Sequence, residues 1–269
     1  MRRLAIIGGG KMGEALIGGL VHAGWDPTDI VVSELHEERR GFLEKTYGIA
    51  VTDDSVEAVR ESDTILLAVK PQDMESVLDK IAGFLSPDHL LMSIAAGIPI
   101  SFFESRISAH VPVVRAMPNT AALLREGAAA IAGGTHATPD HMQTADAILS
   151  AVCRIVHLPE RYLDAVTGVS GTGPAYVFFL AEALIEAAVG VGLPRDVATE
   201  LSIQTILGAA RMLRETGKHP VELREEVTSP GGTTVAAMRV LERAGVRSAF
   251  LDAVRAATER SRELAEGST

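Results

Sequence analysis

The chain has 269 residues, 47% of them hydrophobic, with a formal net charge of −10 and a pI near 5.3. That length holds one large domain or two ordinary ones, and the acidic balance excludes nucleic acid and anionic membrane surfaces as expected partners. Cys153 is the only cysteine, which excludes an internal disulfide and fits a reducing, cytoplasmic setting. The opening apolar run is broken by glycines within a few residues, so no secretory signal is expected. No uninterrupted apolar stretch reaches the roughly 18 residues of a membrane span. No repeat or low-complexity segment stands out.

The first elements set the organisation. Leu4-Ala5-Ile6-Ile7 reads as a buried strand, and Glu14 to Leu20 carries apolar residues at helical spacing. Between them, Gly8, Gly9, Gly10, Lys11, Met12 and Gly13 fit the G-x-G-x-x-G spacing of a dinucleotide fingerprint. One glycine turns the chain, one admits a pyrophosphate to the backbone, and one lets helix and strand pack closely. The helix N-terminus then offers free N–H groups and partial positive charge. Three glycines also make an ordinary tight loop; the strand before and the helix after favour the phosphate cradle.

Ile30 to Ser33 reads as a second strand, closed by Glu34 about 20 residues beyond the last glycine. An acid there accepts from an adenosine ribose 2′-hydroxyl and suits NADH. His36, Arg39 and Arg40 follow and suit the 2′-phosphate of NADPH. A third reading makes these charges only the capped, solvated start of a helix, so NADPH and NADH both stay open. Ile49 to Val51 is a short third strand, and Asp53, Asp54 or Ser55 can cap the helix running through Glu61.

Thr64 to Val69 is a fourth, fully apolar strand that includes Ala68 and Val69 and ends at Lys70-Pro71. Ligands of open parallel sheets sit beyond the carboxyl ends of strands, which puts Lys70 towards a cofactor; otherwise it is a surface lysine. Gln72 to Ile81 reads as the crossover helix. Leu90 to Ile94 is a fifth strand, and Ala95, Ala96 and Gly97 after it are small enough to admit a flat ring. Val113 to Ala116 is a sixth, followed by Asn119, whose amide suits a carboxamide or substrate, or a turn. Ala128 to Ala132 and Arg154 to His157 are candidate edge strands around a helix from Pro139 to Ala151. Six strand–helix units predict an α/β fold with a doubly wound sheet over residues 1–160.

From Asp164 onward the pattern is helical, giving a second domain over 161–269. Pro174 to Val189 is apolar on nearly every face, which predicts burial by a second copy of the chain. Glu182 and Glu186 share a face, but no histidine joins them, so no metal site is expected. Helices are predicted over Pro194 to Thr216, Pro220 to Glu226, Val235 to Ala244 and Val246 to Glu266. Before the third of these, Ser229-Pro230-Gly231-Gly232-Thr233-Thr234 makes an anion nest suited to a carboxylate; the plainer reading makes Thr233 only a helix cap.

Taken in order, Ile7 to Gly13, Ala68 to Pro71, Ser93 to Gly97, Arg115 to Thr120, Gly168 to Tyr176 and Ser229 to Thr234 resemble the pyrroline-5-carboxylate reductases, the last enzymes of proline synthesis. The resemblance covers nearly the whole chain. It implies a Rossmann domain followed by an all-helical dimerisation domain, and NADPH or NADH as cofactor. Ile7 to Gly13, Ser33, Glu34, Ala68 to Pro71 and Asn119 would hold that cofactor, with Ile94, Ala95 and Ala96 beside the nicotinamide. It implies that Glu160, Ser229, Gly231, Gly232, Thr233 and Thr234 bind 1-pyrroline-5-carboxylate, with Thr234 at the imine nitrogen. The reaction would be hydride reduction of the C=N bond to L-proline by a homodimer or a decamer of five dimers. Glu34 departs from the family, which usually has an uncharged residue there. Rival readings are a β-hydroxyacid dehydrogenase or other imine reductase, and a non-catalytic dinucleotide-binding redox sensor. The first wants a lysine on a second-domain helix, and none lies between Gly173 and Glu215; the second gives the Ser229–Thr234 turn no purpose.

Overall fold

The structure is a computed structural model describing residues 3–107 and 110–266. Eight strands form one sheet in the order β3-β2-β1-β4-β5-β6-β7-β8. The strands are β1 (Leu4–Ile7), β2 (Ile30–Ser33), β3 (Ala50–Thr52), β4 (Thr64–Leu67), β5 (Leu90–Ser93), β6 (Val113–Pro118), β7 (Gly127–Gly133) and β8 (Cys153–His157). The first six are parallel, β7 runs antiparallel to β6, and β8 is parallel to β7. Helices α1 (Lys11–His22), α2 (Glu37–Tyr47), α3 (Ser55–Arg60), α4 (Met74–Ile81), α5 (Ile100–Arg106) and α6 (Pro139–Leu149) accompany the sheet.

Alternation along the strands splits the core in two. Leu4, Ile6, Val32, Leu66 and Met92 turn to one face, where Leu16, Ile17 and Leu20 of α1 cover them. Ala5, Ile7, Ile65, Leu67 and Leu91 turn to the other, beneath Val59, Leu78 and Phe103. Strands buried on both faces explain the unbroken apolar runs in the sequence.

Register aligns the functional edge. Ser33 pairs with Ile7, Ile7 with Leu67, Leu67 with Ser93, and Ser93 with Arg115. The residues that follow β1, β2, β4 and β5, namely Gly8, Glu34, Ala68 and Ile94, therefore leave the sheet along one line.

The reversed β7 is where the sequence reading was incomplete. After β6 the chain enters a short 3-10 turn, Thr120–Leu124, and Arg125 takes a left-handed conformation (φ 60°). That sends the chain straight back beside β6. Gly127 is required there, because a Cβ would lie 2.5 Å from Cys153 Sγ.

Beyond the sheet lie α7 (Leu163–Val166), a π-helical turn (Thr167–Gly171), α8 (Gly173–Gly190), α9 (Arg195–Thr216), α10 (Pro220–Glu226), α11 (Thr233–Arg243) and α12 (Val246–Glu266). The chain divides into two compact units, Met1–Thr172 with Arg255–Thr269, and Gly173–Val254. Within the helical unit α8 packs along α9. No residue of α8 is buried, and Phe178 and Phe179 are 69% and 73% exposed. The helical run Glu160–Gly190 is long and apolar enough to cross a membrane by length and composition, with a mean hydropathy of 1.4 over an 18-residue window. The run is not uninterrupted apolar sequence, since Glu160, Arg161, Asp164, Glu182 and Glu186 lie within it.

Cys153, the first residue of β8, is buried, and burial pushes its thiol up to about 11 from an ordinary 9.0. The folded state keeps this proton longer than the unfolded chain. Its contribution to stability is therefore complete below pH 9 and is lost as pH rises towards 11. Iodoacetamide at pH 8 should alkylate the native protein at least about tenfold more slowly than the urea-unfolded protein, since only the thiolate reacts; mass spectrometry against time measures this.

Candidate active site

The glycine turn is built by exclusion. Gly8 has φ 107°, and a Cβ on it would meet the Ala68 carbonyl oxygen at 2.9 Å. A Cβ on Gly13 would lie 2.2 Å from the Gly8 carbonyl oxygen. Both positions therefore admit hydrogen only. Gly8 N–H donates to Ser33 O at 2.8 Å, and Ala68 N–H to Ile7 O at 2.8 Å, fixing the turn between β2 and β4.

Gly10 differs. It is exposed, and a Cβ there would meet nothing within 4 Å. It is also the N-cap of α1 and makes no side-chain cap. The first helical bond runs from Glu14 N–H to Gly10 O at 2.8 Å, so Lys11, Met12 and Gly13 direct N–H groups without intrahelical partners outward. A crowded turn beneath an open, uncapped helix end fits a dinucleotide pyrophosphate.

Around this line the sequence-derived positions fall as follows. Ser33 is buried, and Lys70 is exposed just past β4, before the turn at Pro71. Ala95 is buried, and Ile94 and Ala96 are half-buried, at the carboxyl end of β5. Glu34 stands over the turn: its Oε2 accepts from Gly9 N–H at 3.0 Å and its Oε1 from His36 N–H at 3.0 Å. Asn119 uses both ends of its amide on protein. Its Nδ2 donates to Ser170 O at 3.0 Å, and its Oδ1 accepts from Ala128 N–H at 3.2 Å.

Glu160 is also held by protein. Its Oε1 accepts from Ile100 N–H at 2.7 Å and from Arg115 Nη1 at 3.1 Å. Arg115 is buried on β6, and its Nη2 makes no hydrogen bond but lies 3.9 Å from Asp164 Oδ1. Ser261 Oγ, on α12, donates to the same Asp164 oxygen at 2.8 Å. Sequence reasoning missed this cluster; its one signal was an arginine inside an apolar strand, which needs buried counter-charge.

In the helical unit, α11 begins at Thr233 rather than Val235, with Gly232 as N-cap and no side-chain cap. The plainer reading of Thr233 as the cap is thus corrected: it lies inside the first turn. Gly231 has φ 71°, and a Cβ on Gly232 would strike Ser229 Oγ at 2.3 Å. Ala236 N–H is the first to bond back, to Gly232 O at 3.3 Å, so Thr233, Thr234 and Val235 present N–H groups without intrahelical partners. No acid sits in that turn. Thr234 Oγ1 donates to Val227 O at 2.9 Å, which leaves its lone pairs free to accept. Among the described residues, no three of His, Cys, Asp or Glu gather as a metal site.

The strand order of β1 to β6 and the glycine turn at the carboxyl end of β1 define a Rossmann-type dinucleotide-binding protein with an added helical unit. Residues 3–97 match the family described as NADP oxidoreductase, coenzyme F420-dependent, and residues 160–264 match pyrroline-5-carboxylate reductase dimerisation. The chain is 46% identical to the pyrroline-5-carboxylate reductase of Synechocystis, covering 97% of this chain and 98% of that protein. It is 40% identical to the Arabidopsis thaliana enzyme of that name, covering 98% and 96%. A Coxiella burnetii pyrroline-5-carboxylate reductase structure superposes with a TM-score of 0.94 at 36% identity, covering 98% of both chains. A Plasmodium falciparum pyrroline carboxylate reductase with NADP bound gives 0.88 at 29%, also covering 98% of both. The chain belongs to the pyrroline-5-carboxylate reductase family.

The geometry at Glu160 yields a test. Glu160→Gln keeps an acceptor for Ile100 N–H but removes the charge beside Arg115. It should cost about 1–3 kcal/mol of stability, read from urea unfolding. A raised KM for the imine with unchanged stability would instead place Glu160 at the substrate.

Proposed function

We propose that the protein is an NAD(P)H-dependent pyrroline-5-carboxylate reductase, reducing the C=N bond of 1-pyrroline-5-carboxylate to L-proline in the last step of proline biosynthesis. The observation that carries this reading is the α11 N-terminus, an uncapped, acid-free set of N–H groups beside a threonine whose acceptor side is free. This is the complement of a cyclic imine acid, which carries a carboxylate and, once protonated, an iminium N–H.

The bound dinucleotide supplies the hydride. The chain supplies placement. Gly10 and the N–H groups of Lys11, Met12 and Gly13 hold the pyrophosphate. Ala68 to Pro71 line the same edge, and Ile94 to Ala96 give the nicotinamide a flat, small-residue wall. Gly232 and the N–H groups of Thr233 and Thr234 take the substrate carboxylate, with Ser229 and Gly231 shaping the turn. Thr234 Oγ1, whose proton is held by the Val227 carbonyl, accepts from the ring N–H. The substrate therefore arrives protonated at nitrogen, and the hydroxyl orients it rather than supplying the proton.

The assembly follows from α8. An apolar helix with no buried residue in the single chain needs a partner. In the same unit, a groove of about 510 Å³ is lined by apolar residues including Leu241, Phe250 and Leu251, together with the Glu242–Arg247 ion pair. A second copy covers both, giving a homodimer in the cytoplasm; the family resemblance, not α8, adds a decamer of five dimers as the larger assembly. This accounts for the apolar Glu160–Gly190 run without a membrane.

Thr234→Ala should lower kcat/KM for the imine about 10- to 100-fold, the loss of one hydrogen bond to a charged group. Cofactor oxidation followed with pyrroline-5-carboxylate measures it; unchanged kcat and KM would remove Thr234 from the site. Sedimentation velocity should show dimers or larger species and no monomer at micromolar concentration, and a dissociated chain would contradict the assembly.

A further inference from the structure

The end of β2 bears on which dinucleotide the chain takes, and there the structure separates readings that the sequence left open. The inference rests on the preceding section only for the presence of a dinucleotide. Glu34 is preorganised: its backbone N–H is fixed to Thr52 O at 3.0 Å, and its two carboxylate oxygens accept from Gly9 and His36. Each oxygen has a second lone pair. The carboxylate thus stands beside the glycine turn with acceptor capacity to spare, as a ribose 2′-hydroxyl requires.

Of the three nearby basic residues, His36 is exposed at the N-cap of α2 and gives its backbone N–H to Glu34, and the two arginines are already engaged. Arg39 Nε donates to Gly9 O at 2.7 Å, its Nη2 pairs with Glu14 at 2.5 Å, and its guanidinium lies 5.1 Å over the Phe42 ring. Arg40 Nη1 donates to Glu34 O and Leu35 O, each at 2.8 Å, and its Nη2 faces Asp53 at 3.7 Å. The start of α2, otherwise a place for phosphate, carries Glu37 and Glu38 in its first turn. The acids Glu14, Glu34, Glu37, Glu38 and Asp53 outnumber the two arginines. A 2′-phosphate would bring about two negative charges against Glu34, and no guanidinium is free to meet them.

We propose that Glu34 is a specificity-determining residue that selects NADH over NADPH, by accepting from the 2′-hydroxyl and repelling a 2′-phosphate. Arg39 and Arg40 hold the turn and the acid in place and do not bind phosphate.

The test measures dissociation constants of NADH and NADPH by titration calorimetry, without substrate, for the native chain and for Glu34→Ser. The native protein should bind NADH at least about tenfold more tightly, and the variant should lose most of that ratio, chiefly by gaining NADPH affinity. Equal or tighter NADPH binding by the native protein, or an unchanged ratio in the variant, would overturn the proposal. Should Glu34→Ser fail to fold by circular dichroism, Glu34→Gln keeps the side-chain shape and an acceptor for Gly9, and its ratio should fall in the same direction. Turnover with pyrroline-5-carboxylate is scored separately. Selective NADH binding without turnover would defeat the functional reading and leave this one standing; turnover with NADPH binding as tightly as NADH would do the reverse.

Discussion

The contact between Gly13 and the carbonyl of Gly8 is the constraint from which the cofactor end of the molecule follows. With 2.2 Å between that oxygen and any Cβ, α1 comes as close to β1 as a chain without side chains allows. The closeness brings the free N–H groups of α1 to the edge of the sheet. It also lets Leu16, Ile17 and Leu20 bury themselves against Leu4 and Ile6. Strand register does the rest, because the pairings of Ile7 with Ser33 and Leu67 carry the same edge out to Glu34 on one side and Ile94 on the other.

Charge is used on both sides of that edge in different ways. Near β2, Glu34, Arg39 and Arg40 join to backbone groups of the turn and of β2's end, so the charges brace a loop that has few side chains of its own. Near β6, Arg115 lies buried among Glu160, Asp164 and, through Asp164, Ser261. This second cluster ties the strand to the start of the helical run and to the end of α12 within one compact unit. Burying an arginine is costly unless its counter-charges are fixed. That requirement accounts for the place of Glu160 beside Arg115.

What was legible in the sequence was whatever local pattern alone determines. Six apolar strands, the glycine turn and the long helices could be read because strands buried on both faces and helices with caps leave marks on neighbouring residues. The reversal at β7 left none: it depends on Arg125 in a left-handed conformation and on the room beside Cys153, neither a familiar turn signature. The π turn was hidden for a similar reason. Thr167, Ser170 and Thr172 bond their hydroxyls back to the carbonyls of Leu163, Val166 and Thr167, and Asn119 reaches Ser170 O from a distant strand. The widened register is settled by side-chain bonds, and Asn119 is part of that support. Likewise, the charges after β2 were ambiguous as a list of residues and became distinct only once each guanidinium had a partner.

The same logic bears on how a site with so little acid–base equipment suits the proposed chemistry. An imine reduction needs a positive charge on nitrogen when hydride arrives, and a threonine is a poor source of protons. The hydrogen bond from Thr234 to the Val227 carbonyl shows which way that hydroxyl points its proton. What remains on offer is a lone pair, beside a helix end that presents only N–H groups. Together they match a zwitterion, with donors for its carboxylate and an acceptor for its iminium. On the proposed reading, the charge that activates the substrate would be carried in by the substrate itself, and the protein's task would be to recognise it. The helical unit would then need no lysine of the kind a hydroxyacid dehydrogenase uses, and the glycine-rich turn with its one well-directed hydroxyl would serve for recognition.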